Sequence, residues 1–262
     1  LRAALRAFLF ALLTALGVSA APDEEDYGRS RWSTHGAPTV PEGRLEVALF
    51  GNSRYGVTER LELALQPVVF FVLPHVEGKL FLAREGRFSA AVRSRLSYPT
   101  PFLNLISKEG AGGLLPATTD VPQALELEAD GVVSFRFHER QLASLTAGVA
   151  VAPRGESSDF PLLDFPLLYP RFAPLYSWGV PRFELYVEGH VIEGLYYGAG
   201  IRTYLLFLDE VEGEYAFEQV LAPEYRFGER FAVELGVRTS LARYPVGTRL
   251  HWLPYFDLVL GF

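Results

Sequence analysis

The chain has 262 residues, 49% hydrophobic and 14% aromatic, with a formal net charge of −7. That acidic balance excludes a nucleic-acid partner, which needs a basic face to neutralise phosphates. Cysteine is absent, which excludes disulfides, thiol catalysis and a lipid-anchored N-terminal cysteine.

Read from the N-terminus, Arg2 and Arg6 precede an apolar stretch from Phe8 to Val18, and the small residues Ser19, Ala20 and Ala21 follow. A positive, an apolar and a small-residue region in that order predict an export signal over 1–21, cleaved after Ala20 or Ala21. The other reading, an anchoring helix, meets a stretch that is short against the roughly 20 residues of a helical span. Residues 22–43 are expected to form a periplasmic segment or a first strand. Beyond Val18 the longest apolar run is Val68 to Leu73, set between Pro67 and Pro74, so no transmembrane helix is expected.

From residue 44 onward the pattern has a period of two, which places successive side chains on opposite faces of a strand. Leu45, Val47 and Leu49 alternate with Arg44 and Glu46. Leu125, Leu127, Val133, Phe135 and Phe137 alternate with Glu126, Glu128, Asp130, Ser134 and Arg136. Phe183, Leu185 and Val187 alternate with Arg182, Glu184 and Glu188. Leu195, Tyr197, Ala199, Ile201, Leu205 and Phe207 alternate with Tyr196, Gly198, Gly200, Arg202 and Tyr204. Phe231, Val233, Leu235, Val237 and Leu241 alternate with Ala232, Glu234, Gly236, Arg238 and Ser240. At the C-terminus, Leu250, Trp252, Pro254, Phe256, Leu258, Leu260 and Phe262 form one wholly apolar face. A soluble sandwich or lipocalin-like barrel alternates too, but strands in globular proteins commonly run to about 5–6 residues. Here several runs are long enough to cross a bilayer when tilted.

Eleven strand candidates follow, at 44–52, 59–72, 76–84, 87–98, 122–137, 141–152, 172–189, 194–208, 213–227, 229–242 and 248–262. Short connections centre on Tyr55–Thr58, Arg84–Arg87, Phe137–Arg140, Glu188–Gly194 and Phe227–Arg230, and they alternate with long ones at 99–121, 153–171, 208–213 and 242–248. Short turns on one side and long loops on the other are the asymmetry of outer-membrane barrels, whose strand number is even. The expected fold is therefore all-β: an up-and-down antiparallel transmembrane barrel over 44–262, with 10 to 12 strands. Twelve is favoured, the extra strand being sought in 27–37.

Arg54-Tyr55-Gly56-Val57-Thr58-Glu59-Arg60-Leu61-Glu62-Leu63 resembles a hairpin motif of transporter-like bacterial outer-membrane β-barrel proteins. Phe262 resembles the terminal aromatic that the barrel-assembly machinery recognises in that class. The resemblance implies an outer-membrane location in a Gram-negative-type bacterium, with assembly machinery, outer-membrane lipid and lipopolysaccharide as partners. The expected form is a monomer that conducts a small solute and carries no cofactor.

The alternation sends a mixed set of charges to the barrel interior: Arg93, Arg95, Glu126, Glu128, Asp130, Arg136, Glu184, Glu188, Arg202, Glu218, Glu224, Glu234, Arg238 and Asp257, with Glu46, Glu62, Arg226 and Arg249 in the same phase. Isolated buried charges are costly, so they either line a wet pore or pair into a solid ionic core. A passive channel for small polar or amphipathic solutes is the expected function; a non-conducting structural or binding barrel is the alternative.

Two apolar connections, 99–121 and 160–174, either fold into the mouth, lie on the outer leaflet or pack on each other as a cap, since exposed greasy patches usually have a partner. An outer-leaflet lipid hydrolase is the third reading. It needs a Ser–His pair, and Ser240 with His251 is the candidate near the outer rim, though both fall in the inward phase. The acidic loop Asp209–Glu214 lacks the spacing of a calcium loop, and no metal site is expected.

Overall fold

The computed structural model describes residues 32–107, 123–152, 173–175, 179–206, 214–244 and 247–262. The leader assignment at 1–21, the loop at 208–213 and most of the two long apolar loops lie outside them. Twelve strands run in chain order: β1 (Leu45–Ala48), β2 (Ser53–Gly56), β3 (Leu61–Leu65), β4 (His75–Glu85), β5 (Phe88–Ser97), β6 (Glu126–His138), β7 (Gln141–Val151), β8 (Val180–Ile192), β9 (Leu195–Leu206), β10 (Glu214–Phe227), β11 (Phe231–Tyr244) and β12 (Gly247–Gly261). Two short helices, α1 (Pro67–Phe70) and α2 (Thr100–Ser107), and a 3-10 turn at Ala173–Leu175 lie in the connections. None of the described helices is long and apolar enough to cross a membrane.

Every strand pairs antiparallel with its chain neighbours, and β1 closes on β12 through Glu46↔Gly261, Val47↔Leu260 and Ala48↔Val259. Phe262 clamps that seam: its N–H donates to the Leu45 carbonyl at 2.9 Å, and its carbonyl accepts from the Leu45 N–H at 3.2 Å. The short turns between β4 and β5, β8 and β9, and β10 and β11 hold Gly86, Gly194 and Gly228 at positive φ. These turns share one end of the barrel with Phe262, the end expected to be periplasmic.

The twelfth strand is not where the pattern suggested. Residues 32–37 form no strand. Instead the first candidate reverses at 49–52, so that Ser53–Gly56 is a strand and the next turn falls at 57–60 rather than at Tyr55. A long-range acceptor holds the reversal. The Asp257 carboxylate of β12 accepts the backbone N–H groups of Leu49, Phe50 and Gly51 at 2.9, 2.8 and 2.7 Å. The candidate at 59–72 also ends early, because Pro67 opens α1 as its first residue.

The wall is consequently uneven. Strands β10, β11 and β12 have 14, 14 and 15 residues, whereas β1, β2 and β3 have 4, 4 and 5. Outward side chains are apolar and exposed all round, among them Leu127, Leu145, Leu185, Ile201, Leu221, Leu235 and Phe256. Their inward neighbours are buried polar groups such as Glu62, Glu128, Asp130, Thr146, Glu184 and Glu218.

Candidate functional site: the barrel interior

The inward faces of β4 to β8 are closed by ion pairs. Arg182 grips Asp130 with two nitrogens, at 2.7 and 2.5 Å, and its third nitrogen lies 2.8 Å from Glu128. Arg93 donates to Asp130 at 3.0 Å. Arg95 donates to Glu77 at 2.6 Å and lies 3.2 Å from Glu128. The planar guanidinium fork suits such bidentate work. Gly148, beside Asp130 on β7, leaves the room: a Cβ there would sit 2.1 Å from an Asp130 oxygen.

A second group centres on Glu62, which accepts from Arg54 at 2.6 Å and lies 3.3 Å from Lys79. Sequence reasoning did not include Arg54, Glu77, Lys79 or Arg182 among the site residues. The inward phase of Arg182 was legible, and Glu77 and Lys79 alternate with Val76 and Leu80. Arg54 was hidden by its assignment to a turn.

The N-terminal segment enters this interior. Trp32 donates from Nε1 to the Gly228 carbonyl at the β10–β11 turn, at 2.9 Å. From there the chain dips into the lumen and emerges beside the β2–β3 turn, where Thr39 Oγ1 donates to the Glu59 carbonyl. Between the two ends its N–H groups find side chains of the wall. Ser33 donates to Glu46 (2.9 Å), His35 and Gly36 to the Glu188 carboxylate (3.1 and 3.3 Å), Ala37 to Ser134 (2.8 Å) and Val40 to Glu62 (2.8 Å). The His35 ring stacks on Tyr186 at 4.1 Å and lies 3.0 Å from Glu184, which also accepts from Arg202 at 2.7 Å. A buried backbone segment without sheet partners must have its polar groups satisfied some other way, and the inward carboxylates and serine do this.

Space remains on the other side of the segment. A cavity of about 1290 Å³ opens at the periplasmic end, bordered by Arg136, Arg140, Glu188, His190, Tyr196 and others. A second, of about 270 Å³, lies deeper and is bordered by Arg93, Arg95, Glu184, Arg202, Glu218, Glu224, Glu234, Arg238 and Asp257. Ser33, His35, Arg54, Tyr186, Glu224, Arg226 and Glu234 border both. Glu126, Glu128 and Asp130 face inward but border neither; all three are buried, Glu128 and Asp130 against arginines. Arg226 is held by Glu224 at 2.5 Å with its guanidinium 3.8 Å over the Tyr196 ring, and Arg238 lies 4.7 Å over Tyr255. Arg249, in the inward phase, is exposed at the outer end.

Toward that outer end, Leu73, Leu103, Ile106, Ala124, Ala152 and Leu175 form an apolar cluster. Ala124 and Ala152 continue the inward faces of β6 and β7, so the cluster caps the β4–β8 side. The described part of the first apolar loop, α2, thus packs with neighbouring connections. Ser240 and His251 are direct cross-strand partners. Among the described residues neither Ser240 Oγ nor His251 Nδ1 has a hydrogen-bond partner, so the two are not hydrogen-bonded to each other as a nucleophile and its base are.

An apolar band outside a charged interior, in a sheet without open ends, is the arrangement that hydrocarbon demands and water does not. The protein is a closed, twelve-stranded transmembrane β-barrel.

No family model matches the chain. Two Thermus thermophilus glutamine–fructose-6-phosphate aminotransferases are 28% identical to it over 170 residues, 62% of this chain and 24% of theirs. The chain therefore spans about a quarter of the length of the curated relatives it matches. Among solved structures, it is similar to Acinetobacter baumannii OccAB4 (TM-score 0.43, 11% identity, 88% of this chain and 56% of that one). The corresponding figures are 0.42, 12%, 83% and 59% for Pseudomonas aeruginosa OccK1, and 0.36, 12%, 94% and 68% for the A. baumannii outer-membrane channel DcaP. The chain spans just over half the length of OccAB4 and OccK1.

Proposed function

We propose that the protein is a passive channel for small polar or amphipathic solutes, held narrow by its own residues 33–37. The observation that carries this reading is the pair of polar-lined cavities meeting around Ser33, His35, Tyr186 and Glu234. They run from the periplasmic rim to the depth of the β1–β2 reversal, where Gly51 and Asn52 border the inner one. Along this path the arginines and carboxylates of β8 to β12 are the pore-lining groups, and the barrel acts as a monomer in contact with lipid and lipopolysaccharide. The test is planar-bilayer recording of the mature protein beside a variant lacking 32–40. The intact barrel is expected to give small or infrequent steps, and the deletion larger ones. A folded deletion variant that never conducts would leave the second reading, a filled structural or binding barrel, which the ion-paired wall of β4 to β8 favours.

A further inference from the structure

A strand of four residues rises about 14 Å, and one of fifteen about 50 Å, at roughly 3.4 Å per residue. The apolar band of an outer-membrane barrel is about 25 Å tall. Strands β1 to β3 therefore stop within the band, while β12 continues through it. The register shows the step. Beyond the Phe262 clamp at the turn end, β1 pairs only with Val259, Leu260 and Gly261 of β12, and on the outer side a last bond joins the Leu49 N–H to the Leu258 carbonyl. From Gly247 to Asp257, β12 has β11 on one side and, among the described residues, no strand on the other. Pro254 lies in this stretch, where strand prolines belong, at an edge.

The notch has two different borders. Its lipid side is aromatic: Phe50 packs edge-on to Phe256 at 5.2 Å, and Phe70 and the strongly exposed Phe71 stand on the α1 side. Its inner side is the deeper cavity, which is bordered at this level by Phe50, Gly51, Asn52, Gln66, Tyr255 and Asp257. Gln66 ties α1 to the reversal through a hydrogen bond to the Phe50 carbonyl. Unpaired backbone groups cannot face lipid tails alone without a large cost. A slot that holds water or a polar headgroup, with an apolar chain lying across its aromatic rim, satisfies both borders.

We infer that this notch is a lateral portal between the deeper cavity and the outer leaflet, used by an amphiphile with a small polar head and a single apolar chain. The inference rests on the channel reading and narrows its solute to this class. Leu253, on the inward face of β12 beside Arg238, lies at the level of the portal and is nearly half exposed.

The natural chain has no cysteine, so single-cysteine variants report cleanly. Leu253→Cys, the lipid-facing Phe256→Cys, and Val220→Cys on the lumen face of β10 would be reconstituted in liposomes. Heat-shifted gel mobility would confirm folding. A maleimide bearing a long alkyl chain, dissolved in the bilayer, is expected to modify Leu253→Cys at a rate comparable to Phe256→Cys, and to reach Val220→Cys, across the deeper cavity, more slowly. Asn52→Trp, which fills the slot, should abolish labelling at Leu253→Cys while sparing Phe256→Cys. Labelling at Phe256→Cys with none at Leu253→Cys overturns the portal, and conductance steps in the same sample leave the channel standing. Labelling at Leu253→Cys in a barrel that never conducts, even without 32–40, upholds the portal and removes the channel.

Discussion

At the scale of single residues, neighbouring positions on one strand face opposite solvents. Leu235 on β11 points to lipid and is well exposed, while Gly236 points inward. Leu235→Arg places a charge in hydrocarbon near the bilayer midplane and should cost about 2–4 kcal/mol, read from urea unfolding in lipid vesicles. A wet interior alone would make Gly236→Arg mild. However, a Cβ at Gly236 would lie 2.5 Å from the Tyr255 ring, so this variant should also lose stability, through a clash. The control is Gly236→Arg with Tyr255→Ala, where the loss should shrink at 236 and persist at 235. Asp257 offers a second measurement. Asp257→Ala strands the Phe50 and Gly51 N–H groups at the β1–β2 reversal, Leu49 keeping the Leu258 carbonyl, and should cost about 2 kcal/mol or more. Asp257→Asn, which keeps one acceptor oxygen, should cost less in the same unfolding assay.

At the scale of elements, the segment 32–43 behaves as a separate piece of chain laid into a finished wall. Gly36 is its tightest point: a Cβ would lie 2.5 and 2.6 Å from the Ser144 and Ser134 hydroxyls and 2.7 Å from Leu142. Those hydroxyls are themselves hydrogen-bonded at 2.8 Å, with Ser134 also accepting from Ala37. Gly36→Val should expel the segment without unmaking a strand. Bilayer recordings should then show larger steps, while the folded band on an unheated gel is retained. Unchanged conductance in a folded variant would mean that the segment does not restrict the lumen. The dipping path was not visible in the sequence because its partners, Glu46, Ser134, Glu188 and Glu62, come from distant strands. The short turns, by contrast, were visible. A glycine beside a glutamate at 86, 194 and 228 specifies a tight reversal by local chemistry alone.

At the scale of the whole molecule, the barrel divides into a wall that is solid and a wall that faces space. Arg182 and Asp130 belong to the solid part. Removing either partner leaves the other buried with one counter-ion in place of two, Arg93 for Asp130 or Glu128 for Arg182, so Arg182→Met or Asp130→Leu should cost about 3 kcal/mol. The double variant should be much less damaging than the sum, a coupling that a double-mutant cycle in vesicles would read. Neutralising Glu126, Glu128 and Asp130 together should likewise lower unfolding stability rather than reset ion selectivity, since none of them borders a cavity.

What the sequence determined by itself was the class and the facing. A period of two, runs longer than a soluble strand needs, and apolar residues on one face are local properties, so the outward set from Leu250 to Phe262 and the inward set from Glu126 to Arg136 could be read directly. What only the tertiary structure decided was the course of the chain between 32 and 74 and the fate of the inward charges. The reversal at 49–52 depends on Asp257, some 200 residues away. Whether Glu128 and Glu234 meet an arginine or an open cavity depends on the strands across the barrel. Alternation says which way a side chain points; only closure of the barrel says what it meets there.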